Sequence, residues 1–153
     1  MKPLVFAVHT RLLPAETEAF ALYFTPHVEE EYKAPMKEFL NTYMSENRNL
    51  ELQSEDVLRD VFEMSIDFVR ECLGSNAFKP FVVLNAAVFD AVMIGVARRL
   101  ERGALAEPSK FSSAYATLLQ SSKFRMATES RTADEENVRT RIQLATEAFA
   151  DLR

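Results

Sequence analysis

The chain has 153 residues, a formal net charge of −5 at pH 7 and one cysteine, Cys72. This length suits one domain spanning residues 1–153, because domains commonly have ~100 to 200 residues. A single cysteine excludes a disulfide framework and indicates a reducing, cytoplasmic compartment. The longest apolar run, Val82 to Ala97, has 16 residues. It falls short of the ~20 that a membrane span requires, so no membrane contact is expected.

The low number of glycine and proline residues favours helices. Only 3 glycines and 6 prolines interrupt the chain, which leaves long uninterrupted segments. We therefore predict an all-α fold, a single compact domain of five to seven helices. Residues 3–13 fit either a short extended segment by β-branched content or a helix by spacing, and we favour the helix. Residues 15–24 predict a short apolar helix that ends at Thr25-Pro26.

Two further helices are predicted in the first half of the chain. The first places four apolar side chains on one face: Phe39, Leu40, Tyr43 and Met44. The second begins after Ser54, a good N-cap, and ends at Gly74, where a residue of left-handed conformation is expected. Its predicted apolar stripe comprises Leu58, Val61, Phe62, Val69, Cys72 and Leu73.

The stretch "NAAVFDAVMIGVARRLERG", residues 85–103, is the most apolar part of the chain. We predict that a helix over residues 82–102, ended by Gly103, is the most buried of the fold. Gly95 inside this helix costs ~1 kcal/mol of helix propensity relative to alanine. This cost indicates that another helix passes close by.

The sequence of the last third of the chain predicts three helices. Residues 109–119 and the segment "SSKFRMA" at 121–127 form the first two. The third begins at a capping box formed by Thr132 and Glu135. Apolar residues then recur every three or four positions in this helix: Val138, Ile142, Ala145, Phe149 and Leu152.

Asp90 lies in the middle of the most apolar helix. An unpaired ionised carboxylate there is costly, so Asp90 needs a hydrogen-bond donor. Asn85 is poorly spaced, and Arg98 and Arg99 lie two turns or more away. Arg141 lies beside the apolar stripe of the last helix, so its guanidinium can reach across. We predict a structural Asp90–Arg141 ion pair; the alternative is that Asp90 faces water at a helix edge.

Motifs for catalysis and cofactor binding are not found in the sequence. His9 and His27 have no further ligand at metal-binding spacing. Three glycines supply no phosphate-binding loop. The carboxylate pairs Glu55-Asp56 and Asp134-Glu135 fall in first helical turns, where the helix dipole accounts for them. We therefore predict no catalytic residue, no cofactor and no metal.

Residues 98–141 hold nine Lys and Arg against six Asp and Glu, although the whole chain is acidic. Such an asymmetry can mark a surface that contacts an anion, and a solvated surface of mixed charge is the simpler interpretation. The residues predicted to contact a partner or a nucleic acid are Lys123, Arg125, Arg131 and Arg139. Because Glu135 precedes Arg139 by four residues, an intrahelical ion pair is an alternative role for that arginine.

Four segments, taken in order, resemble a known family: "PMKEFLNTYM" at 35–44, "LGSNAFKPF" at 73–81, "NAAVFDAVMIGVAR" at 85–98 and "SSKFRMATESRTADEENVRTRI" at 121–142. They are similar to the helical second half of the prokaryotic family that includes the GmrSD-type, modification-dependent restriction enzymes. In that family a ParB-like N-terminal domain with a D-G-Q-Q-R-type motif handles nucleotide. An all-helical region follows, and many members add an HNH nuclease. The resemblance spans about residues 15–145.

The chain departs from the family in three places. It has no D-G-Q-Q-R motif and no His-Asn-His constellation, and Leu22-Tyr23-Phe24 stands where an Arg-aromatic pair is expected. The resemblance therefore implies only the helical scaffold, a non-enzymatic interaction module of an antiviral defence system. Its partner would be a catalytic subunit of that system or a second copy of the chain. Direct DNA binding through residues 98–141 is the alternative, and an enzyme with an unrecognised site is a third hypothesis.

Overall fold

The computed structural model describes residues 21–23, 28–74, 77–78 and 85–153. All regular secondary structure in these ranges is helical, which confirms the predicted all-α fold. Residues 21–23 are helical, and seven further helices follow in the described ranges, so the predicted number of five to seven helices is too low. The predictions for residues 3–13, for most of 15–24 and for the Thr25-Pro26 break lie outside the described residues.

The helices, in chain order, are α1 (Val28–Glu31), α2 (Met36–Glu46), α3 (Glu55–Leu73), α4 (Ala86–Leu100), α5 (Pro108–Gln120), α6 (Ser122–Glu129) and α7 (Glu135–Ala150). Helix α3 begins and ends where the sequence predicts. The Ser54 side chain accepts a hydrogen bond from the Val57 backbone N–H at 3.3 Å, so Ser54 is the N-cap. Gly74 follows the helix with a φ of 72°, a conformation that glycine adopts without strain.

Helix α4 is the most buried of these helices, as predicted. Of its 15 residues, 12 are buried. The Asn85 side chain caps its start by accepting a hydrogen bond from the Val88 backbone N–H at 3.0 Å. The helix begins at Ala86, four residues after the predicted start, because the extended Asn85 is its N-cap. It ends at Leu100, two residues before the predicted end, and a turn then leads to Gly103, whose φ is 118°.

The predicted capping box at the start of α7 is wrong. The helix begins at Glu135, and Asp134 rather than Thr132 occupies the N-cap position. The Glu135 carboxylate accepts a hydrogen bond from the Ala34 backbone N–H at 3.2 Å. The Glu135 side chain is therefore engaged in a long-range contact with Ala34, whereas a capping box requires it to bond locally.

Helices α4 and α7 pack side by side and run in the same direction. Asp90 meets Arg141 near the start of the pair, and Arg99 meets Leu152 near its end. Helix α3 packs on α4, whereas α1, α5 and α6 pack on α7. The parallel pair therefore forms the centre of the described fold, with the other helices around it.

Gly95 permits the close approach of the two central helices. A Cβ atom at this residue would lie 2.9 Å from the Ala145 carbonyl oxygen and 2.9 Å from Cδ2 of Phe149. Such distances are too short for a carbon atom, so only glycine fits here without a shift of α7. The predicted passage of another helix close to Gly95 is confirmed.

Candidate functional site

Asp90 and Arg141 form a two-pronged ion pair between α4 and α7. Nε of Arg141 donates to Oδ1 of Asp90 at 2.9 Å, and Nη2 donates to Oδ2 at 2.8 Å. Both side chains are fully buried. Nη1 of Arg141 donates to the Thr132 backbone carbonyl. The structure thus brings together the two residues that the sequence analysis pairs, and water does not reach Asp90.

The geometry of this pair suits a structural role. Parallel N–H···O bonds fix both the distance and the rotation of one helix relative to the other. Both Asp90 oxygens accept hydrogen bonds from the guanidinium, which offsets the cost of burying the two charges. Neither group has a face open to a substrate, so the pair supports no acid-base chemistry.

Three arginines at the end of α4 are held within the fold. Arg98 pairs with the Glu29 carboxylate of α1 at 2.5 Å. Arg99 and Arg102 donate to backbone carbonyls at the end of α7, at 2.7 and 2.6 Å. Because α4 and α7 are parallel, their negative dipole ends lie together, and cations placed there stabilise both helices. Much of the positive charge of residues 98–141 is therefore used internally.

Arg139, a predicted contact residue, is also used within the fold. It is exposed, yet its Nε donates to the Glu29 backbone carbonyl of α1 at 2.6 Å. The alternative pair between Glu135 and Arg139 is wrong, because Glu135 faces Lys33 at 3.4 Å. Arg139 therefore helps to attach α1 to α7.

The other three predicted contact residues lie on α6 and in the loop after it. Lys123 and Arg125 are exposed on α6, and Arg125 pairs with Glu129 at 3.0 Å. Arg131 lies in the loop, with a φ of 49° and its guanidinium 4.0 Å from the Asp134 carboxylate. These pairs are local and exposed, so the cations remain accessible to an anionic partner.

A groove of about 300 Å³ lies where the start of α4 meets α5 and α6. Its lining residues are Asn85, Val88, Leu119, Gln120, Phe124, Arg125, Thr128 and Glu129. The Asn85 amide donates to the Thr128 carbonyl at 3.0 Å, and the Thr128 hydroxyl donates to the Phe124 carbonyl at 2.9 Å. Most polar groups of the groove are thus engaged within the protein rather than directed at a ligand.

Two titratable side chains near the core, Cys72 and Tyr115, have pKa values raised by burial. Burial, followed by the nearby Glu71 carboxylate, raises the pKa of the half-buried Cys72 thiol. Burial also raises the pKa of Tyr115 to about 12, and its hydroxyl donates to the Ala77 carbonyl. A cysteine nucleophile requires the thiolate, and these surroundings favour the neutral form. Neither group is thus a nucleophile or base at neutral pH.

An apolar edge on α3 is formed by Val57, Val61 and Met64, of which the sequence analysis named only Val61, as part of the apolar stripe. Val57 and Met64 are 46% and 55% exposed, and Val61 is half-buried. Their spacing of four and three residues places them on one side of the helix. Single exposed apolar side chains are ordinary, whereas a row along one helix indicates a contact surface.

An acidic row lies beside this apolar edge on α3: Asp56, Asp60, Glu63, Asp67 and Glu71. All five side chains are exposed. Within the part of the chain that the structure describes, none of them is in an ion pair. Their spacing of three and four residues was visible in the sequence. The sequence analysis considered only the apolar stripe of α3 and therefore missed the acidic row.

Among the described residues, no group of three or more His, Cys, Asp or Glu side chains is placed to hold a metal ion. None of the described helices has both the length and the apolar character needed to cross a membrane.

Comparisons of the chain with known protein families, curated proteins and solved structures each gave no match. The structure therefore describes an all-helical protein in which helix α3 carries an apolar edge with a row of carboxylates beside it.

Proposed function

We propose that this chain is a non-enzymatic helical interaction module of an antiviral defence system, similar to the helical region of the GmrSD-type restriction enzymes. It acts by contacting a protein partner, the catalytic subunit of that system. The observation that carries this proposal is the apolar edge of α3 together with the acidic row beside it. Exposed apolar side chains gain free energy when a partner removes them from water.

The segments that carry the family resemblance support a shared scaffold. Segment 85–98 forms most of α4, and segment 121–142 forms α6 and the first half of α7. Asp90 of the first is held by Arg141 of the second. Asn85 of the first donates to the Thr128 carbonyl of the second. The resembling residues are thus the ones that join the central helices, which is what a common scaffold would preserve.

Nucleic-acid binding is the second candidate function. The exposed cations Lys123, Arg125 and Arg131 favour it, because phosphate contacts rely on accessible Lys and Arg side chains. Against it, Arg98, Arg99 and other arginines of the same segment are engaged within the fold. A protein partner is therefore the better-supported of the two.

The decisive experiment is coexpression with the protein encoded beside this gene, where that protein carries a ParB-like or HNH domain. We expect the two proteins to copurify in stoichiometric amounts. Met64→Gln should weaken the complex, and Met126→Gln is the matched control, since Met126 is 72% exposed on α6. Loss of the complex with the control but not with Met64→Gln would exclude α3 as the contact surface.

Direct nucleic-acid binding is tested in parallel with labelled duplex and single-stranded DNA at low salt. We expect no binding that survives physiological salt. Tight binding that Lys123→Glu and Arg125→Glu abolish would overturn the proposed function in favour of the second candidate. The absence of both a protein complex and DNA binding would also contradict the proposal.

A further inference from the structure

We infer that the partner binds α3 through an amphipathic helix that carries a row of Lys and Arg side chains. This inference rests on the proposed function and specifies the chemistry of the partner. It is carried by the apolar edge and the acidic row, which run side by side along α3. At 100° per residue, the acidic row covers about 80° of the helix surface, and Val57 and Met64 lie directly next to it.

The length of the acidic row fits a helical partner. From Asp56 to Glu71 it extends over about four turns, or ~22 Å. An α-helix laid along α3 presents anchors at three- and four-residue intervals, which match the spacing of Val57, Val61 and Met64. Val61 also lines a small apolar cavity of about 20 Å³ between α3 and α4. This cavity has room for a methyl-sized group.

Charge complementarity determines which kind of helix fits. Neighbouring carboxylates of the acidic row repel one another along α3, so a basic partner relieves this repulsion. Arg59 and Arg70 lie on the flank of α3 away from Val57 and Met64, and Arg59 pairs with Glu55. A basic row in the partner therefore faces carboxylates without competing cations on the side of the apolar edge.

A second copy of this chain fits the surface less well. Contact of α3 with α3 places carboxylates against carboxylates, which is unfavourable. The arginines at the end of α4 and on α7 are engaged within the fold, including Arg98, Arg99, Arg102, Arg139 and Arg141. Helix α6 has exposed cations in Lys123 and Arg125, but its 8 residues are too short to lie along the whole acidic row, and Arg125 is paired with Glu129. The basic helix therefore comes from a different protein.

The probe for this inference is a synthetic helical peptide with leucines at three- and four-residue intervals and lysines along one flank. A scrambled peptide of the same composition is its control. Binding is measured by isothermal titration calorimetry with the full chain at physiological salt. We expect the amphipathic peptide to bind and the scrambled peptide not to bind. Equal binding of both peptides would overturn the inference, because charge alone would then explain the affinity.

Variants locate the binding surface. We expect Asp60→Lys with Asp67→Lys, and separately Met64→Gln, to weaken binding by about 10-fold or more. Matched controls carry the same changes elsewhere on the exposed surface: Glu38→Lys with Glu136→Lys, and Met126→Gln. Weakening by the controls to the same extent would overturn the inference. Circular dichroism verifies that every variant is folded, and each substituted side chain is exposed.

Three further outcomes separate this inference from the proposed function. If analytical ultracentrifugation shows self-association that Met64→Gln abolishes, the occupant is a second copy and the inference is wrong. If the catalytic subunit copurifies regardless of changes on α3, the interaction function stands and the basic-helix inference fails. If the peptide binds α3 but no defence subunit copurifies, the inference stands and the assignment to a defence system fails.

Discussion

The stability of the described fold depends on Arg141, because its guanidinium neutralises the buried Asp90 carboxylate. Arg141→Met removes both hydrogen bonds to Asp90, at 2.9 and 2.8 Å, and leaves a buried carboxylate without a counter-charge. We expect the free energy of unfolding to fall by about 3 to 5 kcal/mol, measured by urea denaturation. Arg125→Met is the control. It breaks an exposed pair with Glu129, whose loss costs at most about 1 kcal/mol. Equal losses in both variants would contradict the prediction.

The double substitution Asp90→Leu with Arg141→Met tests why the pair matters. Apolar residues of similar volume often replace a buried ion pair without loss of stability. We therefore expect the double variant to be more stable than Arg141→Met alone in the same urea titration. Part of the deficit should remain, because the Thr132 carbonyl also accepts a hydrogen bond from Arg141. A double variant less stable than the single one would show that the charges themselves are required.

The raised pKa of Tyr115 predicts a loss of stability at alkaline pH. Burial raises its pKa from 10.0 to about 12 in the folded chain. Above the pKa of the unfolded chain, the unfolded tyrosine releases a proton that the folded one retains, so the free energy of unfolding falls as pH rises. We expect this fall from about pH 10 to pH 12, with a shallower slope in Tyr115→Phe. Urea unfolding across this pH range measures both slopes, and equal slopes would refute the role of Tyr115.

At the scale of helices, Gly95 sets the distance between α4 and α7. Gly95→Ala gains ~1 kcal/mol of helix propensity but places a Cβ atom 2.9 Å from the Ala145 carbonyl oxygen. Overpacking of a dense core typically costs about 1 to 3 kcal/mol, and a backbone atom cannot rotate away. We therefore expect a lower melting temperature, measured by circular dichroism. An increase in melting temperature would mean that α7 shifts freely and that the close contact is unimportant.

The sequence predicted the central helices better than their surroundings. Asp90 and Gly95 each break a local rule, a charge among apolar residues and a glycine inside a helix. A residue that breaks a local rule needs a compensating contact elsewhere in the fold. The spacing of the apolar residues in α7 indicated that this helix provides the contact. The Thr132–Glu135 capping box failed because Glu135 contacts Ala34, about a hundred residues away. Local patterns cannot reveal a contact of that range, and the same holds for Arg139 and the Glu29 carbonyl.

The sequence analysis placed the candidate contact surface within residues 98–141 because charge was counted along the chain. Residues 98–141 are rich in arginine, but several of these side chains bind carbonyls and carboxylates of neighbouring helices. On α3, by contrast, the exposed charges beside Val57 and Met64 are all carboxylates. Net charge per segment does not distinguish internal from exposed cations, whereas helical spacing identifies a one-sided row.

For the molecule as a whole, the internal use of arginine limits how strongly residues 98–141 can bind DNA. Lys123, Arg125 and Arg131 are exposed, and the ion pairs of Arg125 and Arg131 are local to α6 and the loop after it. Each phosphate contact adds about 0.9 to the steepness of log K against log salt. Reversing these three residues to glutamate is therefore expected to change that slope by at most about 2.7.

Fluorescence anisotropy with labelled duplex DNA over a range of salt concentrations measures this slope. The control reverses three exposed cations outside the segment and so changes the net charge equally: Lys37→Glu, Arg48→Glu and Arg70→Glu. If wild-type binding is weak and both triple variants flatten the slope alike, the DNA affinity is a general property of the surface charge. A decrease well above 2.7 for the first variant alone would mean that arginines now bound within the fold turn outward to reach phosphates. The exposed Arg102 and Arg139 need only leave their carbonyl partners for this, whereas Arg141 contacts DNA only after it leaves Asp90 and α4 separates from α7.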